Sequence, residues 1–150
     1  MYASILYALL VVNLHPIIEL EQTLDAIRLV ESSGGRDTRD GDSGRAVGPY
    51  QIHRAYWQDG TRFLGVHWPY RDARDPARAR QVVRAYVVHY QRAGGYPATP
   101  EVWAETHNGG PRGPEKDSTT VYWRKIQEAK ELHDASILRH VIASEMQAER

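Results

Sequence analysis

The sequence predicts a mainly α-helical domain of the α+β kind, with one small β-hairpin. Three observations support this prediction. Apolar residues recur three and four positions apart over 17–31, which is the spacing of one helix face. Start and stop residues bound two further helical segments, 75–95 and 99–110. A short alternating stretch between glycine-containing turns, 46–52, predicts the hairpin.

The chain begins with an apolar run, Ala3 to Leu14, in which Asn13 is the one strongly polar residue. The run is too short to span a bilayer as an ordinary helix. It could instead be the core of a signal peptide or a buried N-terminal helix. We therefore divide the chain into an apolar N-terminal segment, 1–15, as a candidate signal or anchor, and one folded domain, 16–150.

The first helix of the domain is predicted over Ile17 to Glu31. Its apolar stripe runs through Leu20, Leu24 and Ile27, and Glu31 continues the same spacing. Because apolar surroundings disfavour an ionised carboxylate, we expect a raised pKa for Glu31 and a proton available near neutral pH. The alternative is that Glu31 is a partly exposed residue in a last turn, which the following Ser-Ser-Gly-Gly simply ends.

A loop rich in aspartate and glycine follows Glu31 and returns the chain to the helix end. Asp37, Asp40 and Asp42 lie in this loop. A protonated carboxyl beside an ionised one is the arrangement that glycoside hydrolysis requires. Asp42 is our candidate for the second carboxylate, whereas Asp37 and Asp40 are of the kind that forms turns.

Helices account for most of the remaining chain. A short helix is predicted over Arg54–Leu64. The next starts at Asp75-Pro76 and ends at Gly94-Gly95, and another starts at Thr99-Pro100-Glu101 and ends at Asn108-Gly109-Gly110. One or two helices are expected over Ser118–Arg150, with a break near 134–136. The inner positions predicted there are Val121, Ile126, Ala129, Leu132, Ile137, Leu138, Val141 and Ile142.

Composition narrows the classes of function. The chain has 150 residues, with 19 Lys and Arg balanced by 19 Asp and Glu, and the basic residues are interspersed with acidic ones. No basic patch therefore argues for nucleic acid. Cysteine is absent from the sequence, which excludes disulfides and thiolate metal sites. The histidines and aspartates lack metal-ligand spacing, so no metal and no cofactor are predicted.

Taken together, several motifs resemble the invertebrate-type, destabilase-like lysozymes over roughly residues 24 to 126. The motifs are Glu31-Ser-Ser-Gly-Gly, Asp42-Ser-Gly, Gly48-Pro-Tyr-Gln-Ile, Ala55-Tyr-Trp-Gln-Asp, His107-Asn-Gly-Gly-Pro and Val121-Tyr-Trp. The resemblance implies a lysozyme-like superfold with the hairpin beside an active-site cleft. It also implies cleavage of the β-1,4 bond of peptidoglycan, with Glu31 as general acid and Asp42 as second carboxylate.

The chain departs from the animal members of this family, which are rich in disulfides, because it contains no cysteine. That departure suggests a bacterial or phage relative. The expected partner is peptidoglycan or a chitooligosaccharide, and membrane contact is expected only if 1–15 is an anchor. Because such an enzyme must reach the cell wall, we expect export to the periplasm or the outside of the cell.

Aromatic and amide side chains near the two carboxylates are candidates for sugar binding. Aromatic faces pack on pyranose rings, and amides or imidazoles reach hydroxyls. Each candidate could instead pack in the core, and the helical spacing of Tyr56 and Trp57 favours packing for these two. For the His107-Asn108 pair a helix cap is the alternative to sugar binding. The candidates are Tyr50, Gln51, His53, Tyr56, Trp57, His107 and Asn108.

Other activities remain as alternatives. A lytic transglycosylase has a similar motif order, but uses one glutamate and yields a 1,6-anhydro product. A catalytically silent module that binds the wall or an inhibitor is the second alternative. The Gly41–Gly44 stretch resembles a serine-protease nucleophile motif, but His15 is the one histidine upstream of it.

Overall fold

The part of the chain that the computed structural model describes contains five α-helices and four short 3-10 turns. That part is the backbone of residues 2–148 and the side chains of residues 14–137, 139 and 144. The helices are α1 (Tyr2–Ser32), α2 (Arg54–Leu64), α3 (Pro76–Ala93), α4 (Pro100–Gly109) and α5 (Thr120–Ala148). The 3-10 turns are Asp42–Gly44, Tyr70–Arg74, Gly113–Glu115 and Asp117–Thr119.

Local capping signals set the starts of α3 and α4. The Asp75 side chain accepts a hydrogen bond from the backbone N–H of Arg78 at 2.9 Å. Thr99 does the same at the start of α4, and each helix has proline in its first turn. These predicted starts are confirmed, as are both bounds predicted for α2.

The two terminal helices differ from the prediction. Helix α1 begins at Tyr2 and continues through Pro16, well before the predicted start at Ile17. Helix α5 is continuous across 134–136, where a break was expected. The side chains of Val121, Leu132 and Ile137, predicted as inner positions, are more than half exposed. Three further predicted inner positions, Leu138, Val141 and Ile142, have side chains outside the described set.

The segment 1–15 was predicted as a candidate signal or anchor. The side chains of residues 1–13 lie outside the described set. Within the described residues, no helix combines the length and the apolar character needed to cross a membrane.

The predicted hairpin is not confirmed, because the described residues contain no β-strand. Two isolated antiparallel bridges occur instead, Gly41 with Ala46 and Val47 with Ile52. Each pair exchanges two backbone hydrogen bonds of 2.9–3.1 Å. One tight turn follows directly on the other. Each turn is therefore closed by a single bridged residue pair, and neither bridge extends into a ladder.

Helix α4 lies at the centre, in contact with α1, α3 and α5. Its residues Trp103, Ala104 and Thr106 are buried, and the helix ends beside the C-terminal end of α1. Burial of the apolar core around it is the main stabilising contribution. Fully buried side chains of this core are Leu24, Ile27, Ile52, Val82, Val83, Val87 and Ile126.

One arginine joins α3 to α1 across the core boundary. Arg80 donates hydrogen bonds to the Glu21 carboxylate at 2.8 and 3.0 Å, to Asp25, and to the Tyr50 hydroxyl at 3.3 Å. Arg84 adds an ion pair to Glu21 at 2.9 Å. The charges are partly exposed, so each pair contributes at most about 1 kcal/mol. The network ties the C-terminal half of α1 to α3 and to the loop that contains Tyr50.

Candidate active site

Glu31 lies in the last turn of α1 with most of its side chain buried. Its Oε1 atom accepts a hydrogen bond from the Tyr122 hydroxyl at 2.7 Å. The Nε2 atom of His107 lies 3.6 Å from the same oxygen. The apolar stripe of α1 therefore places Glu31 where α4 and α5 each present one polar group to it.

The expectation of a raised pKa for Glu31 is wrong. Burial does raise the pKa of this carboxyl. The nearby ring and charge of His107, the hydrogen bond from Tyr122 and the charge of Lys125 together lower it more, so the pKa lies below its ordinary value. The attraction to His107 requires a protonated imidazole. The stripe alone could not predict these partners, because they come from distant helices.

Asp42 faces the same region from the loop after α1. Both Asp42 and Ser43 have left-handed backbone conformations, with φ of 49° and 57°. Arg45 ties this turn together, because it donates to Asp42 Oδ1 at 2.7 Å and to the Asp42 carbonyl at 3.2 Å. The imidazole of His53 lies 3.4 Å from Asp42 Oδ2. Asp42 is thus paired with two basic side chains, one on each carboxylate oxygen.

The other two loop aspartates are engaged elsewhere. Asp37 is paired with Arg39, whose hydrogen bonds lower the pKa of Asp37 to about 2. Asp40 forms an ion pair with Arg74. Neither carboxylate lines the cleft that contains Glu31, so Asp42 is the loop aspartate that faces it.

A cleft of about 630 Å³ brings the two carboxylates into one cavity. It lies between the end of α1, the loop, and the C-terminal end of α4. The residues that line it are Glu31, Gly41, Asp42, Ala46, Gln51, His53, Tyr56, Tyr86, His107, Asn108, Gly109 and Gly110.

Five of the seven residues predicted to bind sugar line this cleft, namely Gln51, His53, Tyr56, His107 and Asn108. Their roles toward a sugar stay predictions. Tyr56 stacks on Tyr86 with ring centroids 3.5 Å apart, and its hydroxyl lies 3.0 Å from His107 Nδ1. Asn108 is exposed at the end of α4.

Tyr50 and Trp57 require a correction, because both side chains lie in the core and not at the cleft. Tyr50 is fully buried and reaches Arg80 with its hydroxyl. Trp57 is 2% exposed and donates its indole N–H to the carbonyl of Trp68 at 3.0 Å. An aromatic side chain with this burial cannot offer a face to a sugar.

Gln51 has a second task beside its place in the cleft. Its side chain accepts from the Gly41 N–H at 2.8 Å and donates to the carbonyls of Arg39 and Gly48. These three bonds fix the shape of the loop that carries Asp42.

Two tyrosines of the site were not predicted. Tyr122 contacts Glu31, and Tyr86 lines the cleft wall behind Tyr56. Tyr122 continues the buried stripe of Ile126 and Ala129 at spacings of four and three, so periodicity marks it as inward-facing. Nothing local shows that its hydroxyl meets Glu31.

Sequence comparison finds similar proteins among the lysozymes. The chain is 40% identical to a lysozyme of Magallana gigas over 87 residues, which are 55% of this chain and 59% of that protein. It is 41% identical to lysozyme 1 of Crassostrea virginica over 82 residues, 55% of this chain and 44% of that protein. The chain thus spans about half the length of these relatives. Both are bivalve proteins and lend no support to the expected bacterial or phage origin.

Solved structures share the fold. The Tapes japonica lysozyme superposes with a TM-score of 0.62 at 25% identity, over 71% of this chain and 86% of that one. A chain of the complex between Aeromonas hydrophila PliI and Meretrix lusoria lysozyme gives a TM-score of 0.60 at 33% identity, over 71% and 87% of the two chains. The family model named Destabilase matches residues 21–129, which include Glu31, Asp42, His107 and Tyr122. The chain therefore belongs to the destabilase family.

Proposed function

We propose that this protein is a lysozyme, a glycoside hydrolase that cleaves the β-1,4 bond between N-acetylmuramic acid and N-acetylglucosamine in peptidoglycan. The observation that carries the proposal is that Glu31 and Asp42 line one cleft of about 630 Å³. Two carboxylates flanking an open cleft are what hydrolysis of a glycosidic bond requires. Relatives named lysozyme support the substrate class.

Glu31 is the general acid of this proposal. Tyr122 and His107 both approach Oε1, so the proton that Glu31 donates is placed on Oε2. A sugar that fills the cleft removes water from the carboxyl and disfavours its ionised form. Substrate binding thereby counteracts the lowered pKa of Glu31 and supplies the acid to the glycosidic oxygen.

Asp42 supplies the negative charge that the reaction needs opposite the acid. Arg45 and His53 contact its two oxygens and fix its direction. Its carboxylate stabilises the oxocarbenium-like centre that forms as the bond to the leaving oxygen breaks. The left-handed turn at Asp42 and Ser43 serves this role, since it aims the side chain toward the cleft.

Analysis of the products by mass spectrometry tests the proposal. Purified peptidoglycan digested by the protein should yield fragments with reducing muramic acid ends. Fragments lighter by one water, with 1,6-anhydro ends, would identify a lytic transglycosylase instead. No release of fragments by folded protein that sediments with peptidoglycan would identify a silent wall-binding module.

The substrate lies outside the cytoplasmic membrane, so the proposed activity also calls for export. Fusion of residues 1–15 to a reporter that is active only after export tests whether this apolar segment directs it. Retention of the reporter in the cytoplasm would remove the segment from consideration as a signal.

A further inference from the structure

The side chain of His107 stands between two hydroxyls and the carboxylate of Glu31. Its ring is nearly buried between α2, α1 and α5, which present Tyr56, Glu31 and Tyr122 to it. Nδ1 lies 3.0 Å from the Tyr56 hydroxyl, and Nε2 lies 3.6 Å from Glu31 Oε1. The two ring nitrogens thus face partners of different chemistry.

The hydroxyl of Tyr56 has His107 as its hydrogen-bond partner. Among the described residues its phenol makes a single hydrogen bond, the one to His107 Nδ1. Burial raises the pKa of Tyr56 well above its ordinary value, so the group keeps its proton. A buried O–H that does not donate is costly, so donation to the imidazole is favoured over acceptance from it.

We propose that Tyr56 is a positioning residue that fixes the proton of neutral His107 on Nε2, so that the N–H of the ring faces Glu31. A nitrogen that accepts the phenol proton cannot carry a hydrogen of its own in the neutral ring. The hydrogen must then reside on the other nitrogen. Neutral His107 consequently presents a donor to Oε1, alongside the donor from Tyr122.

This arrangement determines which oxygen of Glu31 carries the reactive proton. Oε1 faces the Tyr122 hydroxyl and the Nε2–H of His107, which both donate. A proton on Oε1 would point at these donor hydrogens and repel them. Oε2 faces neither group and takes the proton. This role in catalysis rests on the proposed lysozyme function, whereas the position of the hydrogen on His107 does not.

Nitrogen NMR of the histidine rings tests the inference directly. The protein is labelled with ¹⁵N, and the pH is raised until the ring shifts of His107 no longer change. The His107 signals are identified by their loss in His107→Gln. The wild type should show a protonated Nε2 and an unprotonated Nδ1. A proton on Nδ1 in the wild type would overturn the inference, and this result needs no variant of Tyr56.

Two matched variants separate the hydroxyl of Tyr56 from its ring. Tyr56→Phe keeps the stacking on Tyr86 but removes the donor, so the population with a proton on Nδ1 should rise. Tyr86→Phe removes a neighbouring hydroxyl that makes no hydrogen bond to His107 among the described contacts, and should leave the His107 shifts at their wild-type values. Unchanged His107 shifts in Tyr56→Phe would also contradict the inference.

Kinetics test the role of the tautomer in the reaction. Tyr56→Phe keeps an aromatic face in the cleft, so KM should stay close to that of the wild type. We expect kcat to fall about 2- to 12-fold, the effect that corresponds to one hydrogen bond of ordinary net strength. Unchanged kcat despite a shifted tautomer would refute the positioning role. An inactive wild type with the expected tautomer would instead refute the proposed function.

Discussion

The hydroxyl of Tyr122 donates a hydrogen bond of 2.7 Å to Glu31 Oε1, although 91 positions separate the two residues in the chain. This contact joins α5 to the last turn of α1 at the centre of the candidate site. It also explains in part why the pKa of Glu31 lies below its ordinary value despite burial, because a donor to the ionised carboxylate favours that form.

Tyr122→Phe should raise the pKa of Glu31, since one of the contacts that lower it is removed. An acid acts while protonated, so activity is lost as pH rises through its pKa, and the alkaline limb of the kcat/KM profile should move to higher pH. Tyr96→Phe is the control, because Tyr96 bonds the exposed Glu115 away from the cleft. An unmoved limb in Tyr122→Phe would contradict the role of this hydroxyl.

The same contact has a stability consequence of definite sign. Because the folded pKa of Glu31 lies below its ordinary value of 4.5, the ionised carboxylate stabilises the fold above that pH. This contribution should disappear as pH falls below 4.5 through the folded pKa. Urea unfolding across this range should show a smaller loss for Tyr122→Phe than for the wild type.

Glu31→Gln should leave the fold intact and remove nearly all lysis. The amide is almost the same size and keeps an oxygen that accepts from Tyr122, but it has no proton to donate. A positioned acid supplies about 10²–10⁴-fold in rate, and a loss of this size is expected. Turbidity of a peptidoglycan suspension measures it, and circular dichroism checks folding. Lysis close to wild type by the folded variant would disprove the assignment.

Asp42→Asn should lower turnover about 10²–10³-fold, the size of effect that removal of one charge-stabilising group has. Asparagine tolerates the left-handed backbone found here, so the loss would report the charge. Asp37→Asn is the matched control, since that carboxylate is paired with Arg39 outside the cleft. An equal loss of turnover in Asp37→Asn would contradict the assignment of Asp42 as the second carboxylate.

Asn108→Ala should weaken binding of a chitooligosaccharide more than it lowers Tm. The side chain is exposed at the end of α4 and lines the cleft. Loss of one hydrogen bond to sugar corresponds to about a 2- to 12-fold higher Kd. Calorimetric titration gives Kd, and thermal unfolding gives Tm. Unchanged affinity with a lowered Tm would make Asn108 structural.

Gly48→Ala should destabilise the protein by about 1–3 kcal/mol more than Gly65→Ala. Both glycines have a positive φ, 75° and 69°, so both substitutions strain the backbone. A Cβ at Gly48 would lie 2.0 Å from the carbonyl oxygen of Ala73, whereas the space at Gly65 is open. Urea unfolding compares the two variants, and equal losses would mean that the close approach carries no cost.

Much of the fold was accessible from the sequence because its signals are local. Asp75-Pro76 and Thr99-Pro100 cap helices with their own side chains and backbone. The break expected in α5 illustrates the limit, since residues near 134–136 have weak preferences that the helix overrides. The prediction of a hairpin was wrong for a related reason. The alternation of apolar and polar residues over 46–52 cannot show that two tight turns follow one another.

The site was less accessible. That Glu31 and Asp42 lie in one cleft could be predicted, because a helix stripe and a return loop are features of neighbouring residues. Tyr122 could not be paired with Glu31, because their contact exists only after α5 packs on α1. Tyr50 and Trp57 were misassigned for the opposite reason, since their motif lies beside the cleft while their side chains turn into the core.

The ties that Arg80 makes to Glu21 and Asp25 behave unlike covalent crosslinks between helices. A reducing agent cannot open them, and their formation needs no oxidant, so folding of this joint does not depend on the redox state of the surroundings. Ionic strength acts on them instead, because dissolved salt screens charges that are partly exposed. The ion pairs between α1 and α3 therefore stabilise the fold most at low ionic strength and less at high ionic strength.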